Sequence, residues 1–450
     1  MPLFGTSGIR GVVGQEITTQ LCHEVAEALG ATLPVGSRVC LATDTRASGE
    51  MLKEAVFSGL LSCGMEITDL SILPTPVLAL LTREWGFETG IMITASHNPP
   101  EFNGIKLFNR NAVGYSWDQE QQIEEIYRRK AFRRGYRGSL DRGSGMEESY
   151  LQFIRHALHA EVLHSDMRIV VDPGNGAASG FVSSLFAEMG LKVIPLNDSP
   201  NGLFGGRKPE PTEDTLRGTV EFLKAVDADM AVCFDGDADR VVFCDREGFL
   251  GFNEPTAFVS RLVAEGSGKK RVASTVEAGR LLDYAVGDLG VEVVRGKVGD
   301  VPLAYLTRQI DAAIGTEQVG VYIIPQIGYY PDSIFAALTL IKRLRKVSQI
   351  RDFLREMPRL FFEKSKVSCP NQLKQMVMKS VGQEACHFGA DGVNELDGIR
   401  LEFADSWMLI RASGTEPVIR IIAEATSPSR VGELLEKGVQ TVRYLVEENN

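Results

Sequence analysis

Met230-Ala231-Val232-Cys233-Phe234-Asp235-Gly236-Asp237-Ala238-Asp239-Arg240 joins an apolar run to an acidic loop. Five apolar residues bounded by polar turns read as a buried strand. The loop after such a strand lies where open α/β sheets gather their ligands. Asp235, Asp237 and Asp239 offer hard carboxylate oxygens at i, i+2 and i+4, a donor set suited to Mg²⁺. An EF-hand loop starting at Asp235 needs a glycine sixth and a glutamate twelfth; those positions hold Arg240 and Arg246. A polar turn without a metal is the plainer alternative.

The same strand-then-helix rhythm extends in both directions. Arg38–Thr43 reads as a strand, Glu50–Cys63 as a helix and Ile91–Thr94 as a strand. The pattern returns with strands at Arg168–Asp172, Lys192–Leu196, Arg271–Ser274 and Glu292–Val294, and helices at Ser179–Met189 and Ala278–Leu289. Strands alternating with helices predict βαβ units around mainly parallel sheets. The C-terminal texture differs: Arg400–Phe403 and Trp407–Arg411 as strands, then Ser429–Glu447 as a helix, predict a smaller α+β domain.

At ~100–200 residues per domain, the 450 residues make roughly three or four domains. Arg128–Gly145 is basic and glycine-rich and reads as a solvated connector. Further breaks are expected after Asp245-Arg246-Glu247-Gly248 and near Met357-Pro358. The expected domains are therefore 1–145, 146–248, 249–358 and 359–450. The net charge of −11 argues against nucleic acid as the main partner but not against an anionic substrate held by a local arginine cluster. Seven cysteines without CxxC spacing argue against a disulfide framework or zinc site and for a reducing cytoplasm. The first residues carry no signal-peptide pattern, and no stretch of ~20 apolar residues can span a bilayer.

Three motifs fail on inspection. Gly174-Asn175-Gly176-Ala177-Ala178-Ser179 nearly spells a dinucleotide fingerprint, but Ser179 stands at the third glycine position, so a tight βα turn is expected. Gly266-Ser267-Gly268-Lys269-Lys270 lacks the leading glycine and the closing Ser/Thr of a phosphate loop. His156, His159 and His164 have no carboxylates at metal-ligand spacing.

Two others hold. In Thr94-Ala95-Ser96-His97-Asn98-Pro99-Pro100 a serine follows a strand with histidine beside it, a placement for a nucleophile that also suits an ordinary turn. In Arg411-Ala412-Ser413-Gly414-Thr415-Glu416-Pro417-Val418-Ile419-Arg420 two arginines bracket a Ser-Gly-Thr turn. Guanidinium, hydroxyl and turn N–H groups together hold a phosphate dianion.

With Phe4-Gly5-Thr6-Ser7-Gly8-Ile9-Arg10-Gly11 at the start, these motifs in this order resemble the alpha-D-phosphohexomutase superfamily over nearly the whole chain. The resemblance implies an α/β fold of four domains, three related α/β domains around mixed sheets plus a C-terminal α+β domain. It implies a phosphoserine at Ser96 and Mg²⁺ bound by Asp235, Asp237, Asp239 and the Ser96 phosphate. Arg10, His97, Lys106 and Arg240 would surround the transferring group, with Lys106 as the proton-transfer partner. Arg411, Ser413, Gly414, Thr415 and Arg420 would grip the non-reacting phosphate, and Glu317 and Gly320 would belong to the sugar loop. A phosphosugar mutase would pass its phosphoryl group out and back through a bisphosphate, primed by hexose 1,6-bisphosphate. Its partner would be a small phosphosugar, with no nucleic acid and no membrane, and the protein a monomer or homodimer.

The sugar loop departs from the family pattern Gly-Glu-x-Ser-Gly-His. Here it reads Thr316-Glu317-Gln318-Val319-Gly320-Val321. Gln318 and Lys297-Val298-Gly299-Asp300 lean towards phosphoglucosamine mutases. Mutases of mannose or glucose phosphates and an archaeal-type phosphopentomutase are the alternatives. An aspartyl phosphatase and a phosphosugar-binding protein that has lost catalysis are the rivals from other classes.

Overall fold

Four sheets divide the chain in the computed structural model, which describes residues 3–5, 8–143, 145, 147–414 and 416–449. Thr6 and Ser7 of the opening motif, and Thr415 of the phosphate-loop motif, lie outside the described residues. The first sheet holds β1 (Ile9–Val12), β2 (Arg38–Thr43), β3 (Glu66–Ile72), β4 (Thr89–Ile93), β5 (Phe102–Asn109) and β6 (Ser139–Arg142), in the order β1-β5-β4-β2-β3-β6. The second holds β7 (Arg168–Asp172), β8 (Lys192–Pro195), β9 (Met230–Phe234), β10 (Val241–Asp245) and β11 (Gly248–Phe249), in the order β11-β10-β9-β7-β8. The third holds β12 (Arg271–Thr275), β13 (Glu292–Gly296), β14 (Gly315–Glu317) and β15 (Val321–Ile323), in the order β13-β12-β14-β15. The fourth holds β16 (Phe361–Ser368), β17 (Gly392–Asn394), β18 (Ile399–Glu402), β19 (Ser406–Ala412) and β20 (Val418–Ala425), in the order β16-β20-β19-β18-β17.

The first three sheets share one plan. Each contains three parallel strands followed by one antiparallel strand: β3-β2-β4 then β5, β8-β7-β9 then β10, and β13-β12-β14 then β15. The repeat that no short sequence match revealed is thus a repeat of strand order. Strands β4 and β9 are buried at every position, which is why Thr89–Ile93 and Met230–Phe234 are apolar without alternation. The fourth sheet is antiparallel throughout. One face packs Ile419 and Ile421 against Val431 and Leu434 of helix Pro428–Glu448. Ser427 starts that helix, its hydroxyl accepting from the Arg430 N–H (3.3 Å), with Pro428 fixing the first turn. The chain has the four-domain α/β architecture, three related domains and a C-terminal one, that its motifs imply.

The connector reading of residues 128–145 needs correction. Ser139–Arg142 is strand β6, added in parallel to β3 although all four residues are exposed. Two of its arginines are anchored too. Arg134 grips Glu27 (2.5 and 2.6 Å), and Arg133 donates to the carbonyls of Gly30 and Leu33 (2.5 and 2.6 Å). The segment ties itself to the first domain as a strap.

One apolar core runs through the first three domains. Leu78 and Leu81 of helix Thr75–Glu84, Tyr150 and Ile154 of helix Glu147–Leu158, and Ile334 and Phe335 of helix Ser333–Arg343 belong to it. Among the described residues no helix is long and apolar enough to cross a membrane.

Candidate functional site

The site is assembled from hairpins, at the same position in each of the first three sheets. In those three domains the turn joins the last parallel strand to its antiparallel neighbour. The β4–β5 turn carries Ser96, β9–β10 the acidic loop, β14–β15 the segment after Glu317, and β19–β20 the Ser413 turn.

Ser96 is fully buried and has φ of 53°, a left-handed backbone that a side-chain-bearing residue adopts only under constraint. The constraint is Arg46. Its guanidinium donates to the carbonyls of Ser96 (2.8 Å), Asn98 (2.7 Å) and Phe102 (2.9 Å), while its Nε binds Asp44 Oδ2 (2.9 Å). Asp44 also accepts from Thr94 Oγ1 (2.6 Å), and Thr94 Oγ1 accepts from the Ser96 N–H (2.8 Å). The serine hydroxyl is thereby aimed at the acidic loop, and Ser96 Oγ donates to Asp235 Oδ2 at 2.6 Å. Gly236 makes the approach possible, since a Cβ there would lie 2.4 Å from the Ser96 carbonyl oxygen.

The acidic loop has a matching support. Arg207 bridges Asp172 Oδ2 (3.0 Å) and the Phe234 carbonyl (2.5 Å), directly before Asp235. Arg46 with Asp44 and Arg207 with Asp172 are therefore equivalent clamps in two related domains. The motif reading missed all four residues. Their signal is an Asp closing β7, or following β2; the answering arginine is two residues on in the first domain, but thirty-five on in the second.

Asp235, Asp237 and Asp239 are buried, with one oxygen from each inside a 4.8 Å cluster. Lys106 Nζ bonds Asp237 Oδ2 (2.7 Å) and Asp239 Oδ2 (2.5 Å), and Thr75 Oγ1 donates to Asp237 Oδ2 (2.7 Å). Among the described residues Asp237 Oδ1 and Asp239 Oδ1 are buried with no hydrogen-bond donor. Orphaned carboxylate oxygens are costly, and a hard divalent cation satisfies them, so the residues present fit a metal ion. Burial, followed by the neighbouring Asp239 and Asp237 charges, pushes the Asp235 carboxyl well above the carboxylate range. Burial opposes ionisation of Asp239 as well, yet Lys106 and Arg240 hold it down at about 2. Burial likewise opposes charge on Lys106, but Asp237 and Asp239 prevail and keep it protonated.

His97 Nδ1 lies 3.3 Å from Ser96 Oγ. Burial, then the Arg240 and Arg10 charges, lowers its pKa to about 2, so the ring is neutral at pH 7. Arg10 reaches Asn98 Oδ1 (3.4 Å), and Arg240 Nε stands 3.9 Å from Asp239 Oδ1, beyond hydrogen-bond range. Both Nε groups are buried without a hydrogen-bond partner among the described residues. The cluster thus presents unanswered cationic N–H groups beside a serine hydroxyl, the complement of a phosphoryl group.

Glu317 sits at the edge of this cluster. Its Oε1 accepts from the Gly299 N–H (2.7 Å), while burial, Asp300 and Glu277 raise its carboxyl to about 7. Gly320 is positioned by backbone contact. Its carbonyl accepts from the Val241 N–H (2.9 Å), and a Cβ there would meet the Val241 carbonyl at 2.4 Å. Val321 and Val319 belong to an apolar cluster with Val113, Ala273 and Leu303. Val321 fills a core between domains, and half-buried Val319 packs against it. Gln318 turns away to the 277–279 segment, its amide donating to the Glu277 carbonyl (3.0 Å).

Arg411 and Arg420 face each other across β19 and β20. Arg411 binds Glu277 of the third domain (2.8 Å), and Arg420 binds Glu416 (2.9 Å). Ser413 is buried, its hydroxyl accepting from the Glu416 N–H (3.1 Å), and Gly414 is exposed beside it. Lys374, which the motif did not include, donates to the Ser413 carbonyl (2.6 Å) and fixes the turn.

Comparison with known proteins finds relatives along nearly the whole chain. Family models described as phosphoglucomutase/phosphomannomutase, alpha/beta/alpha domains I, II and III, match residues 1–134, 148–248 and 256–361; the C-terminal domain model matches 366–439. A probable phosphoglucosamine mutase of Thermococcus gammatolerans is 39% identical over 448 residues, covering 98% of this chain and 98% of that protein. A phosphoglucomutase/phosphomannomutase of Thermococcus kodakarensis is 35% identical over 447 residues, covering 97% and 98%. The crystal structure of a phosphoglucomutase/phosphomannomutase family protein from Burkholderia thailandensis superposes with a TM-score of 0.87 at 26% identity, covering 99% of this chain and 97% of that one.

Proposed function

The chain belongs to the phosphoglucomutase/phosphomannomutase family of alpha-D-phosphohexomutases, and from that premise we propose that it is an isomerase interconverting hexose 1-phosphates and 6-phosphates, with glucosamine phosphate its first substrate. The observation that carries the reading is the 2.6 Å bond from the Ser96 hydroxyl to Asp235 within the buried acidic cluster.

Ser96 carries the phosphoryl group. The free hydroxyl of a bound sugar phosphate attacks its phosphorus, and the bond to Ser96 Oγ breaks. Lys106, held protonated, gives its proton to the departing Ser96 oxygen and regains one from the sugar hydroxyl. Neutral His97, its Nδ1 3.3 Å from the serine oxygen, lines one side of the reacting group without adding charge. The Arg10 and Arg240 guanidinium groups neutralise the phosphoryl oxygens, the larger share of catalysis in phosphoryl transfer. Asp235, Asp237 and Asp239, with a phosphoryl oxygen on Ser96, would hold Mg²⁺, which supplies positive charge against the developing negative charge. The bisphosphate then turns round, and its other phosphate returns to Ser96. Arg411, Ser413, Gly414, Thr415 and Arg420 hold whichever phosphate is not reacting, while Glu317 reads sugar hydroxyls. Trace hexose 1,6-bisphosphate primes the enzyme, which works in the cytoplasm as a monomer or homodimer.

Val319 and Val321 put apolar groups where the family pattern has serine and histidine, and this favours testing mannose, glucose and pentose phosphates beside glucosamine phosphate. Protein, Mg²⁺, trace glucose 1,6-bisphosphate and the 1-phosphates of glucosamine, mannose, glucose and ribose are followed by ³¹P NMR. Conversion to the terminal ester, fastest with glucosamine phosphate and abolished in Ser96→Ala, is the expected result. Phosphate release that survives Ser96→Ala identifies a phosphatase. Binding without turnover, with no phosphate on Ser96 after priming, identifies a binding protein.

A further inference from the structure

The phosphate loop is a row of cations set by strand register. Lys366, Arg420 and Arg411 stand opposite one another across β16, β20 and β19, and Lys364, Ile422 and Leu409 form the next row on the same face. Ile422, Leu409 and Trp407 pack on Val276, so this face is turned towards the third domain. From there Glu277 reaches across, and both Arg411 Nε (3.2 Å) and the Arg411 guanidinium NH2 group (2.8 Å) donate to its Oε1. Arg420 and Lys366 share Glu416 (2.9 and 3.5 Å). Lys364 makes no hydrogen bond or ion pair among the described residues. Its ammonium lies 5.2 Å from the Phe362 ring centroid. Lys364 is exposed on this face, and it shares one field with Glu277, Arg420 and Arg411.

A phosphate dianion arriving at Arg411 therefore meets a carboxylate already there. We propose that Glu277 is an internal competitor for the substrate's non-reacting phosphate: it occupies Arg411 in the free protein, the phosphate displaces it, and Lys364 receives the displaced carboxylate. The proposal rests on the reading of the Arg411–Arg420 loop as the phosphate grip. It answers a requirement peculiar to a reaction in which a bisphosphate must let go of that grip and return reversed. Binding that is uniformly tight slows such an exchange without helping chemistry. A carboxylate ready to take back the arginine keeps the grip reversible, and Lys364 keeps that carboxylate from repelling the bound phosphate.

The sign of one substitution separates this from a plain interdomain anchor. Glu277→Gln keeps the shape and removes the charge. Affinity for inorganic phosphate and for glucose 1,6-bisphosphate, read by titration calorimetry against an Arg411→Ala baseline, should rise about two- to fivefold, the scale of a part-exposed ion pair. With a sugar phosphate that is turned over, KM should fall and kcat should fall with it. Lys364→Met should weaken phosphate binding in the wild-type background and have no effect in the Glu277→Gln background. An anchor predicts the reverse for Glu277→Gln: weaker binding and a lower Tm, and that result overturns the proposal. Equal weakening by Lys364→Met in both backgrounds makes Lys364 a direct phosphate ligand and overturns the handover. The calorimetry needs no turnover, so a failed mutase reading and a failed competitor reading give different results.

Discussion

Arg46 gives its guanidinium to the backbone of the Ser96 loop, and that choice explains how Ser96 keeps a left-handed conformation. Four planar donors in one rigid fork answer the carbonyls of Ser96, Asn98 and Phe102 and the Asp44 carboxylate. Lysine offers a single charged point and cannot reproduce the fork. Arg46→Lys should lower kcat roughly 10–100-fold with a smaller change in KM, because a misplaced nucleophile costs rate rather than binding. Steady-state kinetics would check it, and an unchanged kcat would show that the fork only stabilises the fold. Ser96 and the three aspartates were legible because their chemistry is written within a few residues of one strand. Arg46, Arg207 and Glu277 were not: Asp44 stands two residues before Arg46, but the carbonyls that Arg46 holds and the partners of Arg207 and Glu277 lie about 30 to 130 residues away. Val319 and Val321 were legible as departures from a family pattern, but only packing against Val113 and Leu303 gives them a purpose.

Hairpins are the elements that matter, and their glycines mark where two of them touch. Gly236 faces the Ser96 carbonyl so closely that an added Cβ, 2.4 Å from a backbone oxygen, must push the two loops apart. Gly432, exposed within helix Pro428–Glu448, would meet nothing within 4 Å. Gly236→Ala should abolish most activity and lower Tm. Gly432→Ala should leave kcat alone and raise stability by about 0.5–1 kcal/mol, the helix-propensity difference. Thermal melts and turnover on the two variants check both halves, and a Gly236→Ala enzyme at full activity would mean that the loops separate freely. Element bounds were easiest to read where burial writes an apolar run. The readings of Arg38–Thr43 and Arg168–Asp172 coincide with β2 and β7. Strand β6 went unread because it is held by main-chain pairing and its side chains face solvent, so Ser139–Arg142 has no apolar signature.

At the scale of the whole molecule, the first three domains share one core, and Asp332 is a fully buried carboxyl that joins the second and third of them. It caps helix Ser333–Arg343 by accepting from the Phe335 N–H (2.8 Å) and accepts from the Tyr150 hydroxyl of the second domain (2.8 Å). Its Oδ2 is buried with no partner among the described residues. Burial raises its pKa from 3.8 to about 7. The folded protein therefore keeps a proton there that the unfolded chain gives up. That contribution to stability is complete below about pH 4, shrinks as pH rises, and is gone above about 7. Asparagine retains an acceptor for the cap and for Tyr150 but cannot ionise. The difference in Tm, Asp332→Asn minus wild type, should therefore climb between pH 4 and 7 and level off above 7. Taking the difference cancels every other titrating group, so the slope belongs to this carboxyl alone. A difference that stays flat from pH 4 to 8 would mean that Asp332 ionises normally where it sits, and that the seam between the second and third domains opens to water.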